Sequence, residues 1–136
     1  MKRRVVIADD DSIITSLVSL RLELAQFEVL CAANGEEALA LIHESEPVVA
    51  ILDMQMPHKT GMDVLAAIKA DPLTSKLPVM MLTGERDPQT VMRAVGAGAD
   101  DYMVKPFNPD QLFERVSRLV RSSAMTWTPS SPVWEI

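Results

Sequence analysis

The feature that most constrains this chain is a strict alternation of short apolar runs with segments of helical spacing. The runs are too short for buried helices and predict strands at residues 5–8, 28–32, 48–52, 78–82 and 101–104. Between them, apolar residues recur every three or four positions, which predicts amphipathic helices. Strands that alternate with helices favour one parallel sheet with right-handed crossovers and helices on both faces. The sequence therefore predicts a doubly wound α/β fold with five strands and five helices.

The first and last predicted helices have clear limits. Asp11 or Ser12 can cap the first helix. Its apolar face is formed by side chains at spacings of three and four, namely Ile13, Ile14, Leu17, Val18, Leu20 and Leu24. The last helix is predicted from Pro109 to Arg121, with its apolar side directed inward.

The domain organisation follows from length and composition. A chain of 136 residues suffices for one domain with a substantial core and is too short for two ordinary ones. We expect that domain over residues 1–121. Residues 122–136 are rich in Ser, Thr and Pro and nearly uncharged, which is typical of a linker or docking segment. They hold Trp127 and Trp134, and we expect at least one of these rings to dock, because exposed indoles are costly.

Charge and hydropathy exclude several classes of function. A formal net charge of −6 argues against direct nucleic-acid binding, which needs a basic face. No apolar run approaches the roughly 18 residues of a membrane span, and the run after Arg4 is too brief for a signal peptide. We therefore expect a cytoplasmic chain without membrane contact. Cys31 lies in an apolar stretch and is expected to be a small buried hydrophobe.

Polar side chains follow the predicted strands. Asp9 and Asp10 come after the first strand, Asp53 after the third, Thr83 after the fourth and Lys105 after the fifth. The carboxyl ends of parallel strands face one crevice, so three carboxylates, a hydroxyl and an ammonium should converge there. Two carboxylates about 4 Å apart repel by roughly 4 kcal/mol at an effective dielectric near 20, so the cluster indicates a cation or shifted pKa values. Such oxygen ligands suit Mg²⁺ completed by water and phosphate.

Four segments carry a resemblance to a known family: residues 5–11, 51–57, 81–84 and 98–107. In order and spacing they are similar to the motifs of bacterial response-regulator receiver domains, the chemotaxis regulators included. The resemblance implies a flavodoxin-like sheet in the order 2-1-3-4-5. It also implies a phosphoacceptor signalling module of a two-component system or phosphorelay, rather than an enzyme. Such a module takes a phosphoryl group from a sensor histidine kinase or phosphotransfer protein and controls an output partner or domain.

The resemblance also implies a role for each residue of the crevice. Asp53 would be the phosphoacceptor, with Lys105 paired to the phosphoryl oxygens and Thr83 and Tyr102 acting as the switch. Four residues would hold Mg²⁺: Asp10 and Asp53 through their side chains, Asp9 through a water, and Gln55 through its backbone carbonyl. Phosphoryl transfer and slow dephosphorylation would be self-catalysed and Mg²⁺-dependent. The bond between Lys105 and Pro106 would be cis.

Partners and alternatives complete the expectations. The segment around Tyr102, with Arg115 and Arg118 nearby, resembles receivers that dimerise through helix 4, strand 5 and helix 5, and an output domain would lie outside this chain. A haloacid-dehalogenase-like phosphatase would also use a strand-end aspartate with Mg²⁺, but its nucleophile would be Asp9. An interaction module without phosphate turnover and a flavodoxin-like electron carrier are further alternatives.

Overall fold

The computed structural model describes residues 2–84 and 88–127, with side chains described as far as residue 122. In this part of the chain, five strands alternate with five helices: β1 Arg3–Ala8, α1 Ser12–Leu24, β2 Phe27–Ala32, α2 Gly35–Ser45, β3 Val49–Asp53, α3 Gly61–Ala70, β4 Val79–Thr83, α4 Pro88–Gly96, β5 Asp101–Val104 and α5 Pro109–Trp127. The predicted alternation is confirmed, and most predicted ends lie within one or two residues of the observed ones.

The strands form one sheet in the order β2-β1-β3-β4-β5, and each neighbouring pair is parallel. This is the strand order that the resemblance implies. Because successive strand residues point to opposite faces, the sheet has a core layer on each side. Val6, Ala50 and Met81 pack toward α2, α3 and α4, whereas Val5 and Ile51 pack toward α1 and α5. Burial on both faces explains why the central strands read as continuous apolar runs.

Helix α1 presents apolar side chains on two sides. Asp11 caps it, as predicted, by accepting a hydrogen bond from Ile13 N at 2.9 Å. The core receives Thr15, Val18 and Leu22. Much of the predicted apolar face is instead exposed to solvent, at 69% for Ile13, 50% for Leu17, 62% for Leu20 and 70% for Leu24. Spacing alone cannot decide which of two apolar stripes faces the sheet.

Two further predictions need correction. Helix α5 continues six residues past its predicted end at Arg121, to Trp127, and the intervening residues include no Pro or Gly that would break it. Cys31 is exposed on β2 at the edge of the sheet, so the interpretation as a buried hydrophobe is wrong. The remaining segment, 128–136, lies outside the described residues, as do the side chains whose docking was expected. No helix in the described ranges is long and apolar enough to cross a membrane.

Candidate functional site

The strand-end residues meet at the carboxyl end of the sheet. Asp53 is the last residue of β3 and lies opposite Leu82 of β4 in the parallel register. Thr83 ends β4, is buried, and its carbonyl accepts a hydrogen bond from the backbone N–H of Lys105 at 2.7 Å. Asp9 follows β1, where its N–H donates to the Ala32 carbonyl at 3.0 Å. The convergence predicted from the parallel topology is therefore observed.

Three carboxylates form the centre of this site. Asp9, Asp10 and Asp53 each offer an oxygen within 4.8 Å of the others'. Asp9 and Asp53 are only 2% and 6% exposed, whereas Asp10 faces solvent. Backbone amides orient the buried pair, since Asp11 N donates to Asp9 Oδ1 at 2.9 Å and Gln55 N donates to Asp53 Oδ1 at 3.2 Å.

The ammonium group of Lys105 bridges the two buried acids. Its Nζ donates a hydrogen bond to Asp53 Oδ2 at 3.1 Å and lies 2.7 Å from Asp9 Oδ2. The shorter contact, between Lys105 Nζ and Asp9 Oδ2, is an ion pair whose angles are unfavourable for a hydrogen bond. Asp9 Oδ2 thus has no hydrogen-bond donor among the described residues. The peptide bond from Lys105 to Pro106 is cis, as the resemblance implies.

The pKa values of Asp53 and Lys105 reflect this arrangement. Burial, the largest influence, raises the pKa of Asp53 above its ordinary value, and the charge of Asp9 adds to the rise. The Gln55 amide and Lys105 partly offset both effects. Burial by itself lowers the pKa of Lys105, but its interactions with Asp9 and Asp53 outweigh burial and raise it. Lys105 is therefore firmly cationic at neutral pH, whereas Asp53 bears a charge that its surroundings disfavour.

A hard divalent cation fits these donors. The group offers three carboxylates, and the one ammonium beside them, that of Lys105, cannot neutralise three acids. The exposed position of Asp10 leaves one side open to water, which Mg²⁺ usually retains among its ligands. The acidic cluster is thus able to bind a metal ion.

The other predicted residues lie around this centre. Gln55 is exposed in the loop after β3. Tyr102 of β5 is half-buried and packs against the core layer beneath α2, α3 and α4. Its backbone carbonyl accepts a hydrogen bond from Arg115 of α5 at 2.7 Å. The sequence interpretation assigned Asp11 only to the helix cap and missed that its backbone N–H also orients Asp9.

Comparison with known proteins identifies the family. The model of the response regulator receiver domain matches residues 5–117. The chain belongs to this family. The receiver domain is 39% identical over 120 residues to a probable transcriptional regulator, ycf27, of Guillardia theta, covering 88% of this chain and 46% of that protein. It is 33% identical over 119 residues to the phosphate regulon transcriptional regulatory protein PhoB of Pseudomonas aeruginosa, and this match covers 88% of this chain and 52% of that protein.

Solved structures agree with this assignment. The receiver domain superposes on the chemotaxis protein CheY4 of Vibrio cholerae with a TM-score of 0.82 and 34% identity, covering 88% of this chain and 99% of that one. A response regulator of Chloroflexus aurantiacus superposes with a TM-score of 0.84 and 36% identity, and the match covers 89% of this chain and 99% of that one. The receiver domain is a module of two-component signal transduction rather than a classical enzyme, which decides against the phosphatase and the electron carrier. It spans about half the length of the curated relatives it matches.

Proposed function

We propose that Asp53 accepts a phosphoryl group from a sensor histidine kinase or phosphotransfer protein, with Mg²⁺ held by Asp9, Asp10, Asp53 and the carbonyl of Gln55. The observation that carries the proposal is the contact between Lys105 and Asp53, which adjoins two further acids. A cation-binding group and a fixed ammonium thus flank one candidate nucleophile. The domain would supply this machinery for its own phosphorylation and slow dephosphorylation.

In the proposed reaction, an Asp53 carboxylate oxygen attacks phosphorus as the bond to the donor breaks, and the donor keeps that electron pair. Bound Mg²⁺ would supply positive charge beside the transferring group. Lys105, now between Asp9 and Asp53, lies where it can pair with phosphoryl oxygens and stabilise the transition state. Asp53 is held for attack because the Gln55 amide fixes its other oxygen. Ionised Asp53 is required, since only the carboxylate is nucleophilic.

Labelling by acetyl phosphate tests this proposal. With Mg²⁺, intact-mass spectrometry should show one added phosphate, which should be absent in Asp53→Asn and after chelation. Asp110→Asn is the matched control, because Asp110 lies on α5 with an exposed side chain that pairs with Arg21. Label that persists in Asp53→Asn would overturn the assignment, and label on Asp9 would support the phosphatase alternative instead. Release of the phosphate without another protein would support self-dephosphorylation.

The exposed stripe of α1 fits the docking of the protein donor. The stripe begins at Ile13, three residues after Asp10, so a partner that covers it also reaches the mouth of the site. Its four large aliphatic side chains form the kind of apolar patch that marks protein interfaces. Leu17→Ser should leave labelling by acetyl phosphate unchanged and slow transfer from a phosphohistidine protein that labels the wild type. An equal loss with both donors would contradict this role.

The proposed switch couples the site to α4, β5 and α5. A phosphoryl group on Asp53 adds about −1.5 to −2 charges next to Thr83 and Lys105. Lys105 directly follows β5. Two residues of β5 are bound by Arg115 of α5, which donates to the Asp101 carboxylate at 3.3 Å and to the Tyr102 backbone carbonyl at 2.7 Å. A cavity of about 730 Å³ lies on this face. We expect the face to form a homodimer or bind an output domain outside this chain, and unchanged sedimentation with beryllofluoride would exclude the dimer.

A further inference from the structure

Gly61, the first residue of α3, touches the main chain of Asp53. A β-carbon at this position would lie 2.2 Å from the Asp53 carbonyl oxygen, 2.9 Å from its carbon and 3.0 Å from Met54 Cα. Contacts shorter than 3.0 Å essentially never occur for real β-carbons, and every atom in conflict here is backbone. Since these atoms belong to the main chain, rotation of a side chain cannot make room for an added methyl group.

The contact is held from both sides. On the sheet side, Met54 N donates to the Leu82 carbonyl of β4 at 2.8 Å, so the Asp53–Met54 peptide cannot retreat without breaking the sheet ladder. On the helix side, Gly61 N donates to the Met54 carbonyl at 3.2 Å. The start of α3 is fixed in turn by a capping box between Thr60 and Asp63.

We propose that Gly61 is a positioning residue: the absence of its side chain lets the start of α3 abut the main chain of Asp53 and thereby fixes the position of the reacting carboxylate. This inference rests on the proposed function. The contact also sets where the chain turns toward Gln55, whose amide orients Asp53 and whose carbonyl is a proposed metal ligand. Gly61 therefore acts on the reaction through the backbone of Asp53.

The test is Gly61→Ala. Restoring a contact of at least 3.0 Å would move the Asp53 carbonyl or α3 by roughly 1 Å, a misplacement that can cost about 100-fold in rate. The maximal rate of labelling by acetyl phosphate should therefore fall about 100-fold. The half-saturating donor concentration should stay within about twofold, because the error lies in alignment for attack and not in donor binding. Mg²⁺ affinity, measured by calorimetry, should also decrease.

Two other glycine-to-alanine variants serve as controls. Gly35, the first residue of α2, is also crowded, though less tightly, since an added β-carbon would lie 2.6 Å from Lys59 Cβ and 2.7 Å from the Lys59 carbonyl oxygen, and neither atom belongs to Asp53. Gly96 has open space around it. Gly35→Ala should lower the urea midpoint with a much smaller loss of maximal rate, and Gly96→Ala should lower neither. An equal rate loss in Gly35→Ala and Gly61→Ala would overturn the proposal, because general disruption would then explain both.

The outcomes separate this inference from the proposed function. If wild-type protein is not labelled, the proposed function fails, and the Mg²⁺ affinities of Gly61→Ala and Gly35→Ala still decide whether Gly61 fixes the site. If Gly61→Ala does not fold, Thr60→Ala replaces it, because it loosens the helix start without adding an atom. A lower maximal rate in folded Thr60→Ala would support the proposal, and an unchanged rate would overturn it.

Discussion

At the scale of the residue, Asp53 bears a charge that its protein surroundings disfavour. Burial and the neighbouring Asp9 disfavour its ionised form, and the ammonium group of Lys105 is shared between Asp53 and Asp9. The carboxylate group is thus maintained at a cost to stability. Such a cost is common where a site is arranged for chemistry rather than for rigidity.

Asp53→Asn should stabilise the Mg²⁺-free protein. Because the folded pKa of Asp53 is raised, the folded state retains a proton that the unfolded state has lost, so wild-type stability falls as pH rises above the ordinary value of 3.8. The amide cannot ionise and escapes this loss. The gain from Asp53→Asn in urea unfolding should be near zero below that pH and larger at pH 7. A gain independent of pH would contradict ionisation as its cause.

Lys105→Met should destabilise the Mg²⁺-free protein by about 3 kcal/mol, because removal of the cation leaves Asp9 and Asp53 buried without a counter-charge. Saturating Mg²⁺ should recover part of the loss by replacing that charge. Lys59→Met, at an exposed position, is the control and should change the free energy of unfolding by less than about 0.5 kcal/mol. Urea unfolding with and without Mg²⁺ measures both effects, and equal losses in the two variants would contradict this account.

At the scale of the element, α1 shows where sequence patterns reach their limit. Its apolar residues occur on both sides, so periodicity predicts the helix and its cap but cannot choose the buried stripe. The choice is made by packing against β2 and α5, including the contact of Arg21 with Asp110 at 2.7 Å. The strands could be predicted more fully, because burial on both faces leaves a continuous apolar run.

Alanine substitutions on the two stripes of α1 test this orientation. Leu22→Ala should cost about 2–5 kcal/mol, as is usual for a fully buried leucine. Leu17→Ala removes the same atoms from a half-exposed position and should cost less than about 0.5 kcal/mol. Urea unfolding of the two variants gives the comparison, and similar losses would show that α1 packs differently in solution.

The candidate site was predictable as far as the topology determines it. A parallel sheet places strand ends together, so the meeting of Asp53, Thr83 and Lys105 follows from the alternation alone. The difference between buried Asp9 and exposed Asp10 does not, because it depends on how the chain turns into α1. The crowding at Gly61 was likewise beyond sequence reasoning, since it depends on the distance between α3 and β3.

At the scale of the whole molecule, a metal ion bound at the carboxyl end of the sheet should stabilise the entire domain. The acidic cluster joins the loop after β1 to the last residue of β3, and unfolding would disperse its ligands. Mg²⁺ at 100 times its Kd should therefore add about 2.7 kcal/mol to the free energy of unfolding. Asp10→Asn should abolish most of this gain, and EDTA should reverse it. An identical response in wild type and Asp10→Asn would place the metal elsewhere.

Helix α5 carries the chain to the opposite end of the sheet. It begins four residues after Lys105, and by Val120 it borders a cavity with Arg3 and Pro78, at the amino ends of β1 and β4. This part of α5 therefore lies at the end of the sheet opposite Asp53, which is the last residue of β3.

The exposed thiol of Cys31 provides a native probe of the receiver domain. The chain has one cysteine, and its Sγ lies 3.2 Å from Ser19 Oγ of α1. Its rate of reaction with a disulfide reagent therefore reports how closely α1 lies against the sheet edge. Donor proteins that cover α1 would slow the reaction, so their binding can be followed by absorbance on unmodified protein.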